Sequence, residues 1–302
     1  MISTGEIVKN ALKAGVVVPA FNVPHLPMVE PIIQAVTELD SFALVQVARL
    51  EWEKFESKSL EAVRDEFKKF DNPKNVRLHL DHVPVIDEDQ LEVDYVSIIE
   101  EAVELGYKSV MVDGSRLSLE DNIEAAQKVA KIAHAAGIPF EAELGAVLGH
   151  EEGPLPPYEE LFASGEGFTR IDEAKKFVEE SGCDWLSVAV GNIHGAISGA
   201  SKDQKKPEAR INIEHLAKLR DATGIPLVLH GGSGIKQADI LEAIKNGIAK
   251  INVGTELRQA YEGGLKESGG DVKKAQEAVY ERTKWVISDF FHIEGTRKIV
   301  AE

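Results

Sequence analysis

Short apolar segments alternate with longer amphipathic segments along the whole chain. Eight apolar runs occur, and several lack the regular polar positions of a strand with one exposed face. The runs are Val16–Val23, Phe42–Ala48, Val76–His82, Ser109–Gly114, Phe140–Gly145, Trp185–Gly191, Pro226–Gly231 and Ala249–Gly254. Segments between them have helical spacing, as in Ile123, Ala126, Val129, Ala130 and Ala133. The alternation predicts an α/β fold with strands covered on both faces.

Eight strand and helix pairs in 302 residues predict a closed (β/α)8 barrel, or TIM barrel, formed by a single domain over residues 1–302. The alternative is an open doubly wound sheet, which normally has a glycine-rich dinucleotide turn after an early strand. The corresponding segment here, Phe21-Asn22-Val23-Pro24, contains no glycine. The barrel is therefore favoured, with C-terminal helices predicted at about residues 256–302.

Two segments depart from the regular spacing. Residues 148–167 are rich in glycine, proline and acidic residues and are too long for an ordinary connection, so we expect a lid at the active-site face. Residues 275–291 have an apolar helical face that includes Trp285 and Phe290. That face predicts either packing against the outside of the barrel or a subunit interface.

Composition narrows the range of partners. The formal net charge of −17 opposes nucleic-acid binding, because clustered Lys and Arg are needed to displace counterions from phosphates. No window approaches about 18 consecutive apolar residues, and the first residues lack the basic and apolar regions of a signal peptide. The single cysteine, Cys183, cannot form an intramolecular disulfide. We therefore expect a cytoplasmic protein without a membrane or nucleic-acid partner.

Three histidines lie at or near the ends of apolar runs. His82 ends the third run, His194 follows the sixth and His230 is the next-to-last residue of the seventh. Because the carboxyl ends of parallel barrel strands meet at one face, the three imidazoles and a carboxylate there predict a divalent-metal site. Of the two carboxylates in the fifth run, Glu143 lies nearer the strand end than Glu141. Glu143 is therefore the predicted metal-facing residue, and Glu141 a supporting or core residue.

The end of the third run requires a bend. Alternation along a strand places His79 and Asp81 on one side and His82 on the other. Asp81 and His82 can both reach the predicted site only when the chain turns after the strand. We therefore predict a bend near Val83-Pro84.

Two glycine-containing loops lie at the ends of the last two runs. Gly231-Gly232-Ser233-Gly234 begins at the last residue of the seventh run, and Asn252-Val253-Gly254-Thr255 begins in the last residues of the eighth. Barrel enzymes frequently bind phosphate between these two loops, where backbone N–H groups and a helix N-terminus face the oxygens. An acidic protein can thus bind an anionic sugar phosphate through local donors.

These motifs resemble, in order and over nearly the whole chain, those of the class II zinc-dependent ketose-bisphosphate aldolases. The matching motifs are Pro19-Ala20-Phe21-Asn22, His79-Leu80-Asp81-His82, Glu141-Ala142-Glu143-Leu144-Gly145, His194-Gly195, Leu229-His230-Gly231-Gly232-Ser233-Gly234 and Asn252-Val253-Gly254-Thr255-Glu256. The resemblance implies a barrel that cleaves fructose or tagatose 1,6-bisphosphate reversibly into dihydroxyacetone phosphate and glyceraldehyde 3-phosphate. It also implies a homodimer or homotetramer.

The resemblance further implies a role for each matching residue. The metal ligands that it implies are His82, His194 and His230 for Zn²⁺, Glu143 near a second metal position and Asp113 for an accessory cation. Asp81 matches the proton donor, and Glu151 matches a loop carboxylate that moves a proton at the nucleophilic carbon. The implied contacts to dihydroxyacetone phosphate are Asn22, Gly195, Gly231, Gly232, Ser233, Asn252, Val253, Gly254 and Thr255. Such ligands would also accept cobalt, manganese or iron.

The residue types suit this chemistry independently of the resemblance. Breaking a carbon–carbon bond beside a hydroxyl leaves an enediolate, whose charge Zn²⁺ can stabilise as a Lewis acid. A metal-dependent phosphosugar isomerase or epimerase could use the same residues without cleaving carbon. A catalytically silent binding protein would not need Asp81 and Glu151.

Several positions differ from the usual family pattern. Ala48 stands where relatives usually have serine, Val83 replaces a glycine, and Asn192-Ile193 replaces a threonine-containing dipeptide. The Asp-Pro-Arg motif that relatives have near the C-terminus is absent, and the most similar segment is Asp271-Val272-Lys273-Lys274. These positions concern the aldehyde half of the substrate. A divergent aldolase with another aldehyde acceptor is therefore an alternative, with Arg49 as a candidate replacement cation.

Overall fold

The computed structural model describes residues 2–145, 157–192 and 209–302. Eight parallel strands pair in chain order, and β1 pairs with β8 to close the barrel. The strands are β1 Val18–Asn22, β2 Ala43–Ala48, β3 Val76–Asp81, β4 Val110–Val112, β5 Phe140–Leu144, β6 Trp185–Val188, β7 Leu227–Leu229 and β8 Ile248–Val253. Each strand falls within or next to one of the eight predicted runs. The predicted (β/α)8 barrel is confirmed.

Helices surround the barrel and extend its C-terminal end. The α-helices are α1 Thr4–Ala14, α2 Val29–Glu38, α3 Arg49–Lys54, α4 Leu60–Phe70, α5 Tyr95–Leu105, α6 Leu119–Ala135, α7 Tyr158–Ser164, α8 Ile171–Ser181, α9 Ile213–Thr223, α10 Gln237–Lys245, α11 Thr255–Glu267, α12 Val272–Trp285 and α13 Arg297–Ala301. A short 3-10 helix covers Leu26–Met28, and a π-helical turn covers Val286–Phe290. None of the described helices has the length and apolar character needed to cross a membrane.

Local sequence signals explain where several helices begin. Ser3 and Glu6 form a reciprocal capping box at α1, which satisfies two backbone N–H groups that the helix leaves unpaired. The hydroxyls of Ser59 and Ser118 accept backbone N–H groups at the starts of α4 and α6. These caps fix the helix starts after loops that leave the barrel rim.

The barrel interior is apolar at one end. Leu44 of β2, Trp185 of β6 and Val228 of β7 lie in one buried cluster, although these strands lie on different sides of the barrel. Residues Ile7 and Val8 of α1 belong to the same cluster, so α1 covers the amino ends of the strands. The interior is therefore accessible from the carboxyl ends, where the predicted site residues lie.

The C-terminal helices share the core of the barrel. Val279 of α12 and Ile287 of the π-helical turn are fully buried and belong to the large cluster between strands and helices. Trp285 is 39% exposed at the edge of this region. The apolar face of residues 275–291 thus packs mainly against the outside of the barrel. Of the predicted lid, residues 148–156 lie outside the described residues, and α7 forms most of the rest.

Candidate metal and substrate site

A cavity of about 690 Å³ opens at the carboxyl ends of the strands. It brings together all of the predicted site residues that the structure describes. Those lining it are Asn22, Asp81, His82, Asp113, Glu143, His230, Gly231, Gly232, Ser233, Asn252, Val253, Gly254 and Thr255. Glu151, His194 and Gly195 lie outside the described residues.

Two imidazoles and one carboxylate converge in this cavity. Nδ1 of His230 lies 3.0 Å from Nε2 of His82. Oε2 of Glu143 lies 3.2 Å from the same Nδ1 and 3.9 Å from the same Nε2. This oxygen is buried and makes no hydrogen bond of good geometry with a described residue. The donor set therefore fits a divalent metal ion that would replace these close contacts.

The backbone at His82 makes the convergence possible. Strand β3 ends at Asp81, and His82 has a φ of +35°, an uncommon value for a residue that carries a side chain. The turn redirects the side chain of His82 into the cavity beside Asp81. The predicted bend is present, but it lies at His82 rather than at Val83-Pro84, because the backbone leaves the extended conformation at the histidine.

Asp113 lies on the opposite side of the His82 ring. Its Oδ2 atom is 3.5 Å from Nδ1 of His82, whereas the ring's Nε2 faces His230 and Glu143. Asp113 therefore does not join the converging trio and instead orients the His82 ring, an arrangement typical of carboxylates behind metal-binding histidines. Burial opposes ionisation, but the hydrogen bond and charge of His82 keep the pKa of Asp113 below its usual range.

The surrounding carboxylates favour positive charge in the cavity. Burial opposes charge on His82, but the hydrogen bond to Asp113 and the charge of Glu143 outweigh it and raise the pKa of His82 to about 10. Burial opposes charge on His230, but the hydrogen bond to Glu141 and the nearby carboxylate of Glu143 outweigh it and raise the pKa of His230. The same field would stabilise a bound cation, which must displace protons from the rings.

A buried ion pair supports His230 from below. Oε1 of Glu141 lies 2.8 Å from Nε2 of His230, and Oε2 lies 2.8 Å from Nζ of Lys250. Both Glu141 and Lys250 are fully buried. Burial opposes ionisation, but the charges of Lys250 and His230 lower the pKa of Glu141 to about 2. Glu141 thus has the supporting position expected from the sequence.

Lys250 was not singled out by sequence analysis. The sequence feature that could have identified it is a charged residue inside the otherwise mainly apolar run Ala249–Gly254. Asp81, Glu141 and His230 form a second group that could hold a metal ion. The ammonium group of Lys250 already supplies a cation beside Glu141, so His82, Glu143 and His230 are the better candidate metal ligands.

Asp81 is held between two side-chain amides. Nδ2 of Asn252 donates to Oδ1 of Asp81 over 2.9 Å, and Nδ2 of Asn22 donates to Oδ2 over 3.1 Å. Gln46 in turn donates to Oδ1 of Asn22 and fixes that amide. Burial opposes ionisation, but the charges of Lys250 and the neighbouring histidines keep the pKa of Asp81 below its usual range. Asp81 is therefore an oriented carboxylate with its negative charge retained.

The two glycine loops border the same cavity. Gly231 and Gly234 have φ values of +64° and +86°, which glycine adopts readily. Helix α11 begins at Thr255, directly after Gly254, so its N-terminal N–H groups lie at the cavity wall. Backbone donors and the helix dipole there suit an anionic group such as phosphate.

Residues after β2 also line the cavity, and of these the sequence analysis noted only Arg49. Arg49 contacts Glu53 at 2.7 Å and Asp87 at 3.4 Å. Glu51 and Phe55 line the cavity from the same segment. Little in the sequence indicates that these residues line a cavity, because a short segment rich in charged residues usually lies on the surface.

Fold and cavity together define a barrel enzyme with a candidate metal centre beside an anion-binding rim. A sequence model of the family described as fructose-bisphosphate aldolase class-II matches residues 2–296. The chain belongs to the class II fructose-bisphosphate aldolase family. It is therefore an aldolase, a metal-dependent carbon–carbon lyase of a family that binds sugar phosphates. The family supports the aldolase interpretation over the isomerase, the silent binding protein and the divergent acceptor.

Individual relatives agree with this assignment. A fructose-bisphosphate aldolase of Streptococcus pneumoniae serotype 4 is 38% identical over 227 residues, which cover 75% of this chain and 68% of that protein. The crystal structure of the YdjI aldolase from Escherichia coli K12 has a TM-score of 0.78 and 30% identity, with 100% of both chains covered. A fructose-bisphosphate aldolase from Campylobacter jejuni has the same fold, with a TM-score of 0.75 and 20% identity over 97% of this chain and 96% of that chain.

Proposed function

We propose that this aldolase cleaves fructose 1,6-bisphosphate or tagatose 1,6-bisphosphate reversibly into dihydroxyacetone phosphate and glyceraldehyde 3-phosphate. The observation that carries the proposal is the convergence of His82, Glu143 and His230 within 3.9 Å, beside an Asp81 held by two amides. Retro-aldol cleavage needs a cation near the developing charge and a carboxylate that exchanges a proton. The residues that could hold the cation and the carboxylate of Asp81 both border this cavity.

We assign His82, His194 and His230 as ligands of Zn²⁺ and Glu143 as the carboxylate near a second metal position. When bound, zinc supplies Lewis-acid stabilisation of the enediolate charge that carbon–carbon cleavage leaves. Asp113 orients His82 and is the candidate ligand of an accessory cation. Three imidazoles favour zinc over harder cations.

The proton transfers are assigned to two carboxylates. In cleavage, Asp81 accepts the proton of the hydroxyl group, the carbon–carbon bond breaks, and its electron pair passes to the ketose half as the aldehyde forms. Glu151 then supplies the proton that this carbon requires. In condensation both transfers run in reverse, so Asp81 becomes the proton donor. The low pKa of Asp81 makes it a ready donor once it carries a proton.

The phosphate of dihydroxyacetone phosphate is assigned to the rim formed by the glycine loops. The contacts proposed are Asn22, Gly195, Gly231, Gly232, Ser233, Asn252, Val253, Gly254 and Thr255. The start of α11 at Thr255 supports this assignment, because the first N–H groups of a helix have no partner within the helix. Gly231 also lines the cavity, and it has no side chain to keep a ligand from its backbone.

We also propose a cytoplasmic homodimer or homotetramer built from single-domain subunits. Leu91 and Ile299 are 62% and 55% exposed and are available for subunit contacts. Light scattering coupled to gel filtration tests the assembly, and a monomeric mass would contradict it.

The test of function is a direct assay of cleavage. The zinc-loaded protein is incubated with fructose and tagatose 1,6-bisphosphates and with a panel of ketose monophosphates, coupled to glycerol-phosphate dehydrogenase. We expect release of dihydroxyacetone phosphate from at least one bisphosphate, loss of activity with a chelator and recovery with Zn²⁺. The Asp81→Asn variant should lose about 10²- to 10⁴-fold in kcat. Sugar isomerisation without triose phosphate release would overturn the proposal.

A further inference from the structure

Glu51 is a buried carboxyl group at the mouth of the barrel. It lies in α3, is 9% exposed and lines the cavity. Its Oε2 atom accepts the backbone N–H of Ala48 over 2.8 Å and the side-chain amide of Asn22 over 3.4 Å. Oε1 makes no hydrogen bond with any residue that the structure describes. One oxygen of Glu51 is therefore held by the protein, and the other is available to the cavity.

Asn22 connects Glu51 to Asp81. The same Nδ2 atom donates to Oε2 of Glu51 over 3.4 Å and to Oδ2 of Asp81 over 3.1 Å. Two carboxyl groups that share one donor in a buried place repel each other when both are ionised. Asp81 has a second amide, from Asn252, and the positive charge of Lys250 nearby. Asp81 is therefore the member of the pair that keeps its negative charge.

Glu51 forms no ion pair with a described residue, and the opposing charge of His82 has only a minor effect on its pKa. Arg49, on the same helix, contacts Glu53 and Asp87 instead. Burial, and to a smaller extent the charge of Asp81, raises the pKa of Glu51 to about 8. Since Oε2 accepts two N–H groups, the proton belongs on Oε1. Near neutral pH, Glu51 thus offers an O–H donor to the cavity.

Glu51 lies on the Asp81 side of the cavity. Ala48 at the end of β2 is paired in register with Asp81 at the end of β3, and Glu51 follows Ala48 by less than one helical turn. The glycine loops follow β7 and β8, with β1 standing between β8 and β2. In the proposed function, Asp81 exchanges its proton with the oxygen of the aldehyde. Glu51 therefore borders the part of the cavity that receives the aldehyde half.

We propose that Glu51 is a further substrate-contacting residue, whose carboxyl O–H donates a hydrogen bond to an oxygen atom of the aldehyde half of the substrate. This inference rests on the proposed aldolase function. An ionised Glu51 would lose the donor and place a second negative charge beside Asp81. Recognition of the aldehyde should therefore weaken as pH rises, whereas recognition of dihydroxyacetone phosphate should not.

Other charged groups around the cavity also affect pH profiles. The charges of Asp81 and His82, at the end of β3, act on Glu51 directly, and Arg49, Glu88, Glu256 and Arg258 line the same cavity. Glu53 lies outside the cavity lining but pairs with Arg49. A single pH profile cannot separate them. A comparison between variants that differ only at Glu51 removes their shared contribution.

The experiment compares the zinc-loaded wild type with E51Q, E51A and the control E53Q. Condensation kinetics with dihydroxyacetone phosphate and glyceraldehyde 3-phosphate give kcat and a separate KM for each substrate between pH 6 and 9.5. The amide of E51Q can accept from Ala48 and donate into the cavity without titrating. Glu53 lies on the same helix and pairs with Arg49, but it is not a cavity-lining residue.

We expect the wild type and E53Q to lose kcat/KM for the aldehyde above about pH 8, and E51Q to lack this decrease. E51A should raise the KM for the aldehyde about tenfold, as expected for one lost hydrogen bond, with less than a twofold change in the KM for dihydroxyacetone phosphate. Metal content and gel-filtration profile should equal those of the wild type.

Three results would overturn the inference. The first is an E51Q profile that retains the wild-type decrease above pH 8. The second is an E51A variant in which both KM values change equally, which would indicate that Glu51 only caps α3. The third is an E51Q variant that fails to fold, which would indicate the same structural role. Absence of triose phosphate release by the wild type would instead contradict the proposed function, and the inference with it.

Discussion

Nδ1 of His230 and Nε2 of His82 lie 3.0 Å apart, although 148 positions separate the two residues in the chain. The two rings approach each other among the carboxylates of Glu141, Glu143 and Asp113, which favour a positive charge there. A hydrogen-bonded series behind them joins Glu141, Lys250, Asn252 and Asp81. The metal centre and the proton-exchanging carboxylate are therefore parts of one polar network.

Removal of a metal ligand should remove the metal. The His82→Ala variant takes one imidazole from the converging trio, and we expect it to lose bound zinc on dialysis and to lose cleavage activity. Metal content by mass spectrometry and zinc titration measure the effect. The Glu141→Gln variant keeps all three metal ligands but weakens the support of His230 and the contact with Lys250, and it should reduce zinc affinity by about 10- to 100-fold.

The matched control for the metal prediction is His134→Ala. His134 is a surface histidine whose Nε2 lies 2.9 Å from Asp184, away from the cavity. This variant should retain zinc at the wild-type stoichiometry. Full zinc occupancy in His82→Ala would show that the trio is not the metal site.

Breaking the buried ion pair should destabilise the barrel. Lys250→Met leaves the carboxylate of Glu141 buried without its 2.8 Å cationic partner. Loss of one member of a buried pair costs about 3–5 kcal/mol, so the free energy of unfolding in urea should fall by that amount. Lys218→Met removes an exposed pair with Glu214 and should change stability by no more than about 0.5 kcal/mol. Equal effects in the two variants would contradict the assigned importance of burial.

The buried Glu51 should make stability depend on pH. Its pKa is about 8 in the folded protein and 4.5 ordinarily, so the folded state binds the proton more tightly. This contribution to stability is complete below about pH 4.5 and is lost as pH rises to about 8, because the unfolded chain releases the proton first. The loss is at most on the order of 5 kcal/mol.

Glu51→Gln should therefore gain stability relative to the wild type as pH rises from 5 to 8, with no further gain above that range. Unfolding in urea at each pH measures the difference, in which all groups common to both proteins cancel. A difference that is constant across this range would contradict the raised pKa.

Two adjacent glycines in α11 should respond oppositely to alanine. A Cβ on Gly264 would lie 2.7 Å from the backbone Cα of Ala275 in α12, whereas a Cβ on Gly263 would meet nothing within 4 Å. Gly264→Ala should destabilise the protein by about 1–3 kcal/mol, because the helices must separate. Gly263→Ala should stabilise it by about 0.5–1 kcal/mol through helix propensity. Thermal unfolding measures both effects, and equal signs would contradict the packing of the C-terminal helices.

The sequence pattern was sufficient to predict the barrel. Apolar runs such as those containing Leu44 and Val228 recur with helical segments between them, and each strand formed where a run was predicted. Parallel strands place all their carboxyl ends at one face, so the positions of His82, Glu143 and His230 at run ends predicted their meeting. The barrel topology therefore brings residues that are far apart in the chain into one site.

The sequence alone could not predict the arrangement within the site. The positive φ at His82 determines which ring nitrogen of His82 faces Asp113. The pairing of Lys250 with Glu141 depends on the direction of their two side chains inside the barrel. Glu51 lies in a short helix whose sequence is typical of a surface segment. Only the folded structure shows that Glu51 is buried beside Asn22.

The amino-acid sequence by itself determined the number and order of strands and the face on which its reactive residues gather, because these follow from hydrophobic periodicity and strand direction. Tertiary structure decided which ring nitrogen faces which carboxylate, and which buried acid keeps its proton. Those properties depend on distances of a few ångströms between residues far apart in the chain, and on the loss of water around them.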